Sequence, residues 1–461
     1  MSEKMHPDDI RTLFSTAMSD MYREEVPQYG TLIDLVQDVN AATLAANPDL
    51  RRQLEDAGEL SRLSVERHGA IRVGTAEEIN NMRRIFAVMG MYPVGYYDLS
   101  VAGLPVHSTA FRPIEDASLS RNPFRVFCSL IRLDLLEDQE LAREAEVILS
   151  KRQIVTDRAL ELLDLAEAEG GLTAALAQGF VTEALETFRW HSDATVSAQT
   201  YAALLKAHRL IADVVCFRGP HINHLTPRTL DIDAVQKGMP ERGITPKAIV
   251  EGPPQRAASI LLRQTSFKAL EEDVSFDGVS GTHTARFGEI EQRGVALKPA
   301  GRALYDDCLA KTRARVSVGP NGERAEEYMA ALAEEFAAFP DDLTTLRREN
   351  LAYFRFGAKG QNVPAAASIE DLIASGDLIA DPQTYEDFLP VSAAGIFQSN
   401  LGSDEQSNFG LSSNQEIFEA AIQTKVFDEQ ALYAKTEAES LKAALDILGQ
   451  GHLVADVLKV A

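Results

Sequence analysis

Apolar residues at helical spacing dominate the first part of the chain. Between residues 8 and 60 they recur every three or four positions, as in Ile10, Leu13, Phe14 and Met18. This spacing places one apolar stripe on a helix, the stripe that packs against a core. The pattern predicts an N-terminal helical cap over residues 1–60.

Strand-like segments follow this cap. The run 69–74 is rich in β-prone residues, and Thr75 opens the capping-box pattern of a helix start. Three further segments have the composition and bounding turns of strands: 92–98, 106–112 and 124–131. Their order predicts a β-α-β-β-β module within residues 61–134.

A second strand-rich block is expected after a helical insertion. Residues 135–210 carry periodic Leu, Ala and Ile together with many Glu, which indicates helices. Within 211–298 a helix is predicted near 230–239, and strands are predicted at 212–217, 248–250, 260–265 and from 283 onward. Two such blocks favour paired modules around a shared cleft.

The remaining residues, 299–461, read mainly as helical. They contain one loop-rich segment, 388–402, of the kind that often carries binding groups on a rigid scaffold. The chain as a whole is therefore predicted to be α+β, with a sheet core built from paired β-α-β-β-β modules, a helical insertion and helical termini.

Composition and charge narrow the class of protein. The chain has 461 residues and a formal net charge of -24, which argues against nucleic-acid binding because that requires clustered basic residues. Its three cysteines form no C-x-x-C pair, and no segment has the pattern of a signal peptide or a membrane span. We expect a cytoplasmic protein with no membrane partner.

Histidines in or beside strand-like segments are the first candidates for chemistry. His68 and Arg72 are four residues apart, so on a strand both side chains point to one face. An imidazole beside a guanidinium suits an anionic ligand bound at a metal, although a surface Arg and a structural His would give the same pattern. His221 and His224 follow in a proline-flanked turn, where one is expected to be a ligand and the other a neighbouring contact.

Two acidic residues complete the candidate site. On an extended strand Glu289 and Glu291 share one face, and two buried acids are costly without a cation or a basic partner. The alternative is an exposed acidic edge strand. Two histidines and one carboxylate are typical of non-haem Fe(II) enzymes, although zinc uses similar sets.

Several long strings in the chain closely resemble the 2-oxoadipate dioxygenase/decarboxylase family, also called 2-hydroxyglutarate synthase. They include VERHGAIRVGT from Val65, HINHLTPRTLDID from His221, FGEIEQRG from Phe287 and FLPVSAAGIFQSNL from Phe388. The resemblance implies a fold related to the vicinal oxygen chelate enzymes. It also implies Fe(II) bound by His68, His224 and a glutamate, with Glu291 favoured and Glu289 the alternative.

The same resemblance implies roles for the substrate contacts. Arg72 is expected to pair with a substrate carboxylate, His68 to lie beside the substrate, and Val391 and Ser392 to contact it. The implied reaction converts 2-oxoadipate and O₂ to 2-hydroxyglutarate and CO₂ in lysine catabolism. The rival hypotheses are a non-oxidative metal-dependent isomerase or lyase on the same scaffold, and a catalytically inactive binding protein. No pattern in the sequence indicates the oligomeric state.

Overall fold

The computed structural model describes residues 3–267, 271–276, 278–284, 286–319, 322–366, 368–389 and 411–453. The chain forms two compact units. The first comprises Met1–Glu251, Gln264–Gln292 and Asp387–Phe427, and the second Gly252–Arg263, Arg293–Glu386 and Asp428–Ala461. The predicted five-segment division is not tested by this partition and stays a prediction. Among the described residues, no helix is both long and apolar enough to cross a membrane.

The predicted N-terminal helices are confirmed. They are α1 (Pro7–Glu25), α2 (Pro27–Ala46), α3 (Pro48–Asp56) and α4 (Glu59–Leu63). Arg11 of α1 is fully buried and donates to three backbone carbonyl oxygens, those of Met89, Ser118 and Asn122, at 2.8–2.9 Å. Because a buried guanidinium needs such partners, Arg11 fixes the cap against the sheet that follows.

The first module contains the predicted β-α-β-β-β elements, with one additional short helix between its last two strands. It consists of β1 (Arg67–Val73), α5 (Ala76–Val88), β2 (Tyr92–Asp98), β3 (Val106–Arg112), the short helix α6 (Asp116–Arg121) and β4 (Arg125–Ile131). The Thr75 hydroxyl accepts from the Glu78 backbone N–H and caps α5, as its sequence pattern indicates. The strands lie in the order β2-β3-β4-β1, with β1 parallel to β4 and the other pairs antiparallel.

The insertion is helical, and its last helix corrects one predicted strand. It comprises α7 (Gln139–Leu149), α8 (Asp157–Glu169), α9 (Ala174–Glu186), the short strand β5 (Asp193–Ala194), α10 (Ala198–Ala207) and α11 (Arg209–Val215). The strand expected at 212–217 is wrong, because most of this segment lies in α11. Six of the seven α11 residues are buried, so the segment has no polar face from which helical periodicity could be recognised.

The second block begins with β6 (Leu225–Pro227), which pairs antiparallel with β1 and so extends the first sheet. The elements that follow are α12 (Ile232–Gly238), β7 (Leu262–Phe267), β8 (Glu272–Phe276), β9 (Val279–His283) and β10 (Gly288–Arg293). A parallel bridge joins Arg228 to Glu291, and β10 pairs with β7. The segment that follows β6 is thus joined to β10 by a parallel bridge, just as β1 pairs in parallel with β4. This similarity is expected for paired modules.

Two predicted strands of this block are corrected. Residues 248–250 form no strand, and only the next residue, Glu251, makes an isolated bridge, to Gln264. The expected continuous strand from His283 is two strands, because His283 ends β9 and β10 begins at Gly288. The helix expected near 230–239 is confirmed as α12.

The two faces of β1 enter different cores. Ile71 and Val73 pack in a cluster that includes residues of α1, α5, α8 and α9. Ala70 packs in another cluster, with residues of α7, α10 and α11. Since side chains alternate along a strand, His68 and Arg72 lie on the Ala70 face.

The second unit contains the predicted helices and, in addition, a strand pair that the sequence did not predict. Its helices are α13 (Pro299–Arg315), α14 (Ala325–Glu335), α15 (Leu343–Arg348), α16 (Ile369–Ser375) and α18 (Glu429–Leu448), whereas α17 (Leu411–Ile422) belongs to the first unit. Strands β11 (Phe354–Ala358) and β12 (Leu378–Pro382) pair antiparallel. These two strands were not predicted for a region that was expected to be mainly helical. The short strands are stabilised by packing against α18, a tertiary contact that propensity does not reveal.

Candidate metal centre

Three neighbouring strands bring together the residues of a candidate metal centre. His68 lies on β1, His224 immediately precedes β6, and Glu289 lies on β10. One nitrogen of each imidazole and one carboxylate oxygen all lie within 4.8 Å of one another. All three residues are buried. Two imidazoles and a carboxylate converging in a buried site are typical of non-haem iron and of catalytic zinc sites.

The Glu289 carboxylate has one satisfied and one unsatisfied oxygen. Its Oε1 accepts from the Thr226 hydroxyl at 3.0 Å and from the Gln264 amide at 3.0 Å, and it lies 2.9 Å from His68 Nε2. Its Oε2 is buried and has no hydrogen-bond partner among the described residues. A buried carboxylate oxygen without a partner is costly unless a cation satisfies it.

His224 presents a second unsatisfied atom. Its Nδ1 lies 2.9 Å from the Thr226 hydroxyl, whereas its buried Nε2 has no partner in the described part of the chain. Burial lowers the pKa of His224 to about 4, despite the opposing effect of Glu289, so the imidazole is neutral near pH 7. A neutral imidazole is the form that binds a metal. The free atoms of His224 and Glu289 therefore fit a bound metal ion.

His68 lies between the two glutamates. Its Nε2 is next to Glu289, and its Nδ1 is 3.0 Å from Glu291 Oε2, although this second contact is not aligned as a hydrogen bond. Burial alone would lower the pKa of His68, but Glu291 and Glu289 offset this and raise the pKa above its ordinary value. The two carboxylates thus favour the protonated imidazole, and a metal ion bound at Nε2 would compete with a proton there.

Glu291 has a different environment from Glu289. Its Oε1 is 3.7 Å from Arg125 Nη1, and Arg125 in turn contacts Glu66 at 2.8 Å. Glu291 and Arg125 are fully buried, so the exposed acidic edge considered for this strand is excluded. The group of three that could hold an ion contains Glu289 and not Glu291. The geometry thus favours Glu289 as the metal ligand, whereas the family resemblance favoured Glu291 and gave Glu289 as the alternative.

The backbone around the histidines is closely packed. A Cβ on Gly69 would lie 2.4 Å from Ile222 Cδ1 and 3.0 Å from the His224 carbonyl oxygen. Glycine therefore lets β1 approach the His224 segment this closely without displacing the Ile222 side chain or crowding this carbonyl oxygen. The Tyr22 hydroxyl lies 3.0 Å from the Phe287 carbonyl oxygen and 3.2 Å from that of Asn223. The cap helix α1 thus contacts the segments that carry His224 and Glu289.

Aromatic rings cover the two imidazoles. The Phe388 ring lies 5.0 Å from the His68 ring, and the Phe287 ring lies 4.8 Å from the His224 ring, between centroids. Both phenylalanines are buried. They give the candidate metal centre apolar walls, which strengthen electrostatic interactions inside it.

Arg72 belongs to a second polar cluster, centred on Asp213. Asp213 Oδ2 accepts from Arg72 Nη1 at 2.9 Å, and Oδ1 lies 2.9 Å from His283 Nε2 and 3.5 Å from His221 Nε2. Burial alone would raise the pKa of Asp213, but His221, His283 and Arg72 hold it well below its ordinary value. His221 thus lies in the Arg72 cluster and outside the candidate metal group.

Some site residues were missed by sequence reasoning. Thr226 and Gln264 carry no signal that separates them from other polar strand residues. Asp213 does carry one, because it is the single acid in the apolar run from Leu210 to Phe217. A buried acid in such a run requires a partner. Val391 and Ser392, the predicted substrate contacts, lie outside the described residues.

Fold and site together define a candidate metalloenzyme with a His, His, Glu centre on a core of paired modules. Comparison with known proteins supplies the family. A sequence profile described as 2-oxoadipate dioxygenase/decarboxylase matches residues 14–400. The chain is 57% identical over 456 residues to a Pseudomonas putida protein named 2-oxoadipate dioxygenase/decarboxylase, covering 97% of this chain and 98% of the relative.

Two further comparisons agree. A protein of the same name from Escherichia coli is 57% identical over 447 residues, covering 95% of this chain and 98% of the relative. The crystal structure of hydroxyglutarate synthase from Pseudomonas putida in complex with 2-oxoadipate superimposes with a TM-score of 0.92 at 56% identity, covering 97% of this chain and all of that one. The chain therefore belongs to the 2-oxoadipate dioxygenase/decarboxylase family, which confirms the predicted family and fold.

Proposed function

We propose that this protein is an Fe(II)-dependent dioxygenase that converts 2-oxoadipate and O₂ to 2-hydroxyglutarate and CO₂ in lysine catabolism. The observation that carries the proposal is the buried group of His68, His224 and Glu289 in a chain of this family. The reaction balances without a further reductant. The six-carbon diacid loses one carboxyl carbon as CO₂, and both oxygen atoms of O₂ enter the five-carbon product. We retain a cytoplasmic location as part of the proposal.

His68, His224 and Glu289 are the residues proposed to hold the ion. The unpartnered Nε2 of His224 and Oε2 of Glu289 support this assignment, as does the position of His68 Nε2 beside the same carboxylate. When bound, a ferrous ion supplies the redox chemistry that activation of O₂ requires. We assign Glu291 to the environment of His68, next to Arg125, and not to the ion.

Arg72 is proposed to bind a substrate carboxylate. It lies on the same face of β1 as His68, and four residues of strand separate their Cα atoms by roughly 13 Å. The guanidinium and the His68 imidazole are therefore directed to the same side of the sheet, where the diacid is proposed to bind. Asp213 holds the Arg72 side chain from one side, which reduces the conformational entropy lost when the substrate binds.

The remaining groups are proposed to orient and shield the reactants. Phe388 and Phe287 exclude water from the two imidazoles, which protects reactive species from side reactions. Thr226 and Gln264 hold one oxygen of Glu289 by donating to it. The contacts of Val391 and Ser392 with the substrate stay a prediction taken from the family resemblance.

Oxygen-18 labelling tests the proposed reaction against its rivals. Iron-loaded protein turning over 2-oxoadipate under ¹⁸O₂ is expected to give 2-hydroxyglutarate with one labelled oxygen in the new carboxylate and one in the hydroxyl. A product of different composition from 2-hydroxyglutarate, formed without O₂, would instead support a non-oxidative isomerase or lyase. Absence of any product from iron-loaded protein, with 2-oxoadipate and with shorter and longer 2-oxo diacids, would contradict the enzyme proposal.

A further inference from the structure

Thr226 is a buried residue that contacts two of the three candidate ligands with one hydroxyl group. It lies on β6 directly opposite His68 of β1, and it is fully buried. Its Oγ1 is 2.9 Å from His224 Nδ1 and 3.0 Å from Glu289 Oε1. The hydroxyl therefore links a histidine and a carboxylate that are far apart in the sequence.

The Thr226 hydroxyl has a single hydrogen, so it can donate only one of its two hydrogen bonds and must accept the other. A threonine hydroxyl donates one hydrogen and accepts through its lone pairs, whereas an ionised carboxylate only accepts. Thr226 must therefore donate to Glu289. The same oxygen then accepts from His224, which requires the hydrogen of the neutral imidazole to be on Nδ1. The lone pair of His224 consequently lies on Nε2, the buried atom with no partner in the described chain.

We propose that Thr226 is a positioning residue of the metal centre, which fixes the tautomer of His224 and the orientation of Glu289 together. The inference rests on the proposed metal site and adds to it a role for a residue that is not a ligand. Partners of this kind set the tautomer and ring orientation of metal-binding histidines. Here one neutral hydroxyl does this for the histidine while it also orients a second ligand.

The substitution Thr226→Val is the direct perturbation, because valine has the shape of threonine and lacks the hydroxyl. Without it, His224 is free to place its hydrogen on Nε2, the position needed for the ion. Metal affinity is then expected to fall about 10–100-fold, the usual cost of losing such a partner. Thr226→Ser keeps the hydroxyl and is expected to bind metal within a few-fold of the unchanged protein.

Anaerobic titration of the metal-free full chain with Co(II) measures this affinity, and the visible absorption of bound Co(II) reports the coordination. The proposal predicts weakened but detectable binding in Thr226→Val and its recovery in Thr226→Ser. Unchanged affinity in a folded Thr226→Val protein would overturn it. Glu289→Ala and His224→Ala are the reference variants for the metal site. If they also keep full affinity, the proposed site fails and not only the role of Thr226.

A measurement on the unchanged protein covers the case in which Thr226→Val does not fold. Nitrogen NMR of protein labelled with ¹⁵N-histidine distinguishes the two neutral tautomers by the shifts of Nδ1 and Nε2, and the His224 signals are identified by their absence in His224→Ala. Hydrogen on Nδ1 of His224 in the metal-free protein is the expected result. Hydrogen on Nε2 would overturn the proposal.

Discussion

Glu289 and Glu291 offer a matched pair of substitutions on one strand. Both side chains are completely buried, and both have a carboxylate oxygen within 3.0 Å of an imidazole nitrogen of His68. Changing either one to glutamine removes one negative charge and keeps the shape. The two variants thus differ mainly in which carboxylate is lost, so a difference in metal binding identifies the ligand.

The structure predicts a smaller loss of metal affinity for Glu291→Gln than for Glu289→Gln. Glu291→Gln removes a neighbour of His68 that is not a ligand, so metal affinity is expected to fall about 10–100-fold. It also weakens the contact with Arg125, but Glu66 still pairs with that guanidinium at 2.8 Å. The cost in unfolding free energy is therefore expected to be about 1–3 kcal/mol. Glu289→Gln replaces the proposed ligand itself, and its loss of affinity should exceed the roughly 100-fold upper limit for a residue that contacts a ligand without binding the metal.

Anaerobic metal titration of the two metal-free variants, with iron content measured after gel filtration, makes the comparison. Thermal unfolding checks that each variant is folded. We expect Glu291→Gln to retain iron at high iron concentration and Glu289→Gln to retain almost none. The reverse order would show that Glu291 is the ligand and would refute the reasoning from the unpartnered Oε2 of Glu289.

Three further predictions address the substrate, the packing and the pH dependence. Arg72→Ala should raise the apparent KM for 2-oxoadipate at least about tenfold, as loss of a charge-assisted contact of roughly 1.5–3 kcal/mol implies, with little change in iron content; an unchanged KM in steady-state kinetics would exclude the carboxylate role. Gly69→Ala should weaken metal binding and lower the Tm, because its Cβ would lie 2.4 Å from Ile222, whereas Gly179→Ala, with nothing within 4 Å, is the control. Stability of the metal-free protein against urea should fall as pH falls from about 6.5 to about 4. Three buried histidines, His107, His221 and His224, have pKa values lowered to about 4, mainly by burial, and so bind protons more readily when the chain is unfolded. A flat profile over this range would contradict the assignment.

The first module shows what the sequence could predict. Strands β2 and β3 have the predicted limits and β4 begins one residue later than predicted, because β-prone segments there are separated by clear turn and cap signals such as Thr75. The segment 212–217 shows the converse. Its short apolar run is buried on all sides in α11, and such a run has no periodicity that separates a helix from a strand.

The sequence predicted which types of residue form the candidate site. It did not predict how the surroundings of Glu289 and Glu291 differ. Alternation along β10 places Glu289 and Glu291 on the same face, and both do contact His68. The difference between them comes from residues distant in sequence, since Gln264 and Thr226 surround the first and Arg125 lies beside the second. Pairing of Arg72 with Asp213 likewise depends on α11 being a helix, which the sequence did not predict.

Oxygen consumption by iron-loaded protein on addition of 2-oxoadipate is the most direct test of the central proposal. We expect one O₂ consumed for each 2-hydroxyglutarate formed, no consumption by the metal-free protein, and none by His224→Ala. Turnover of 2-oxoadipate without O₂ uptake, or uptake that persists in metal-free protein, would contradict the proposal that iron bound by His68, His224 and Glu289 carries the reaction.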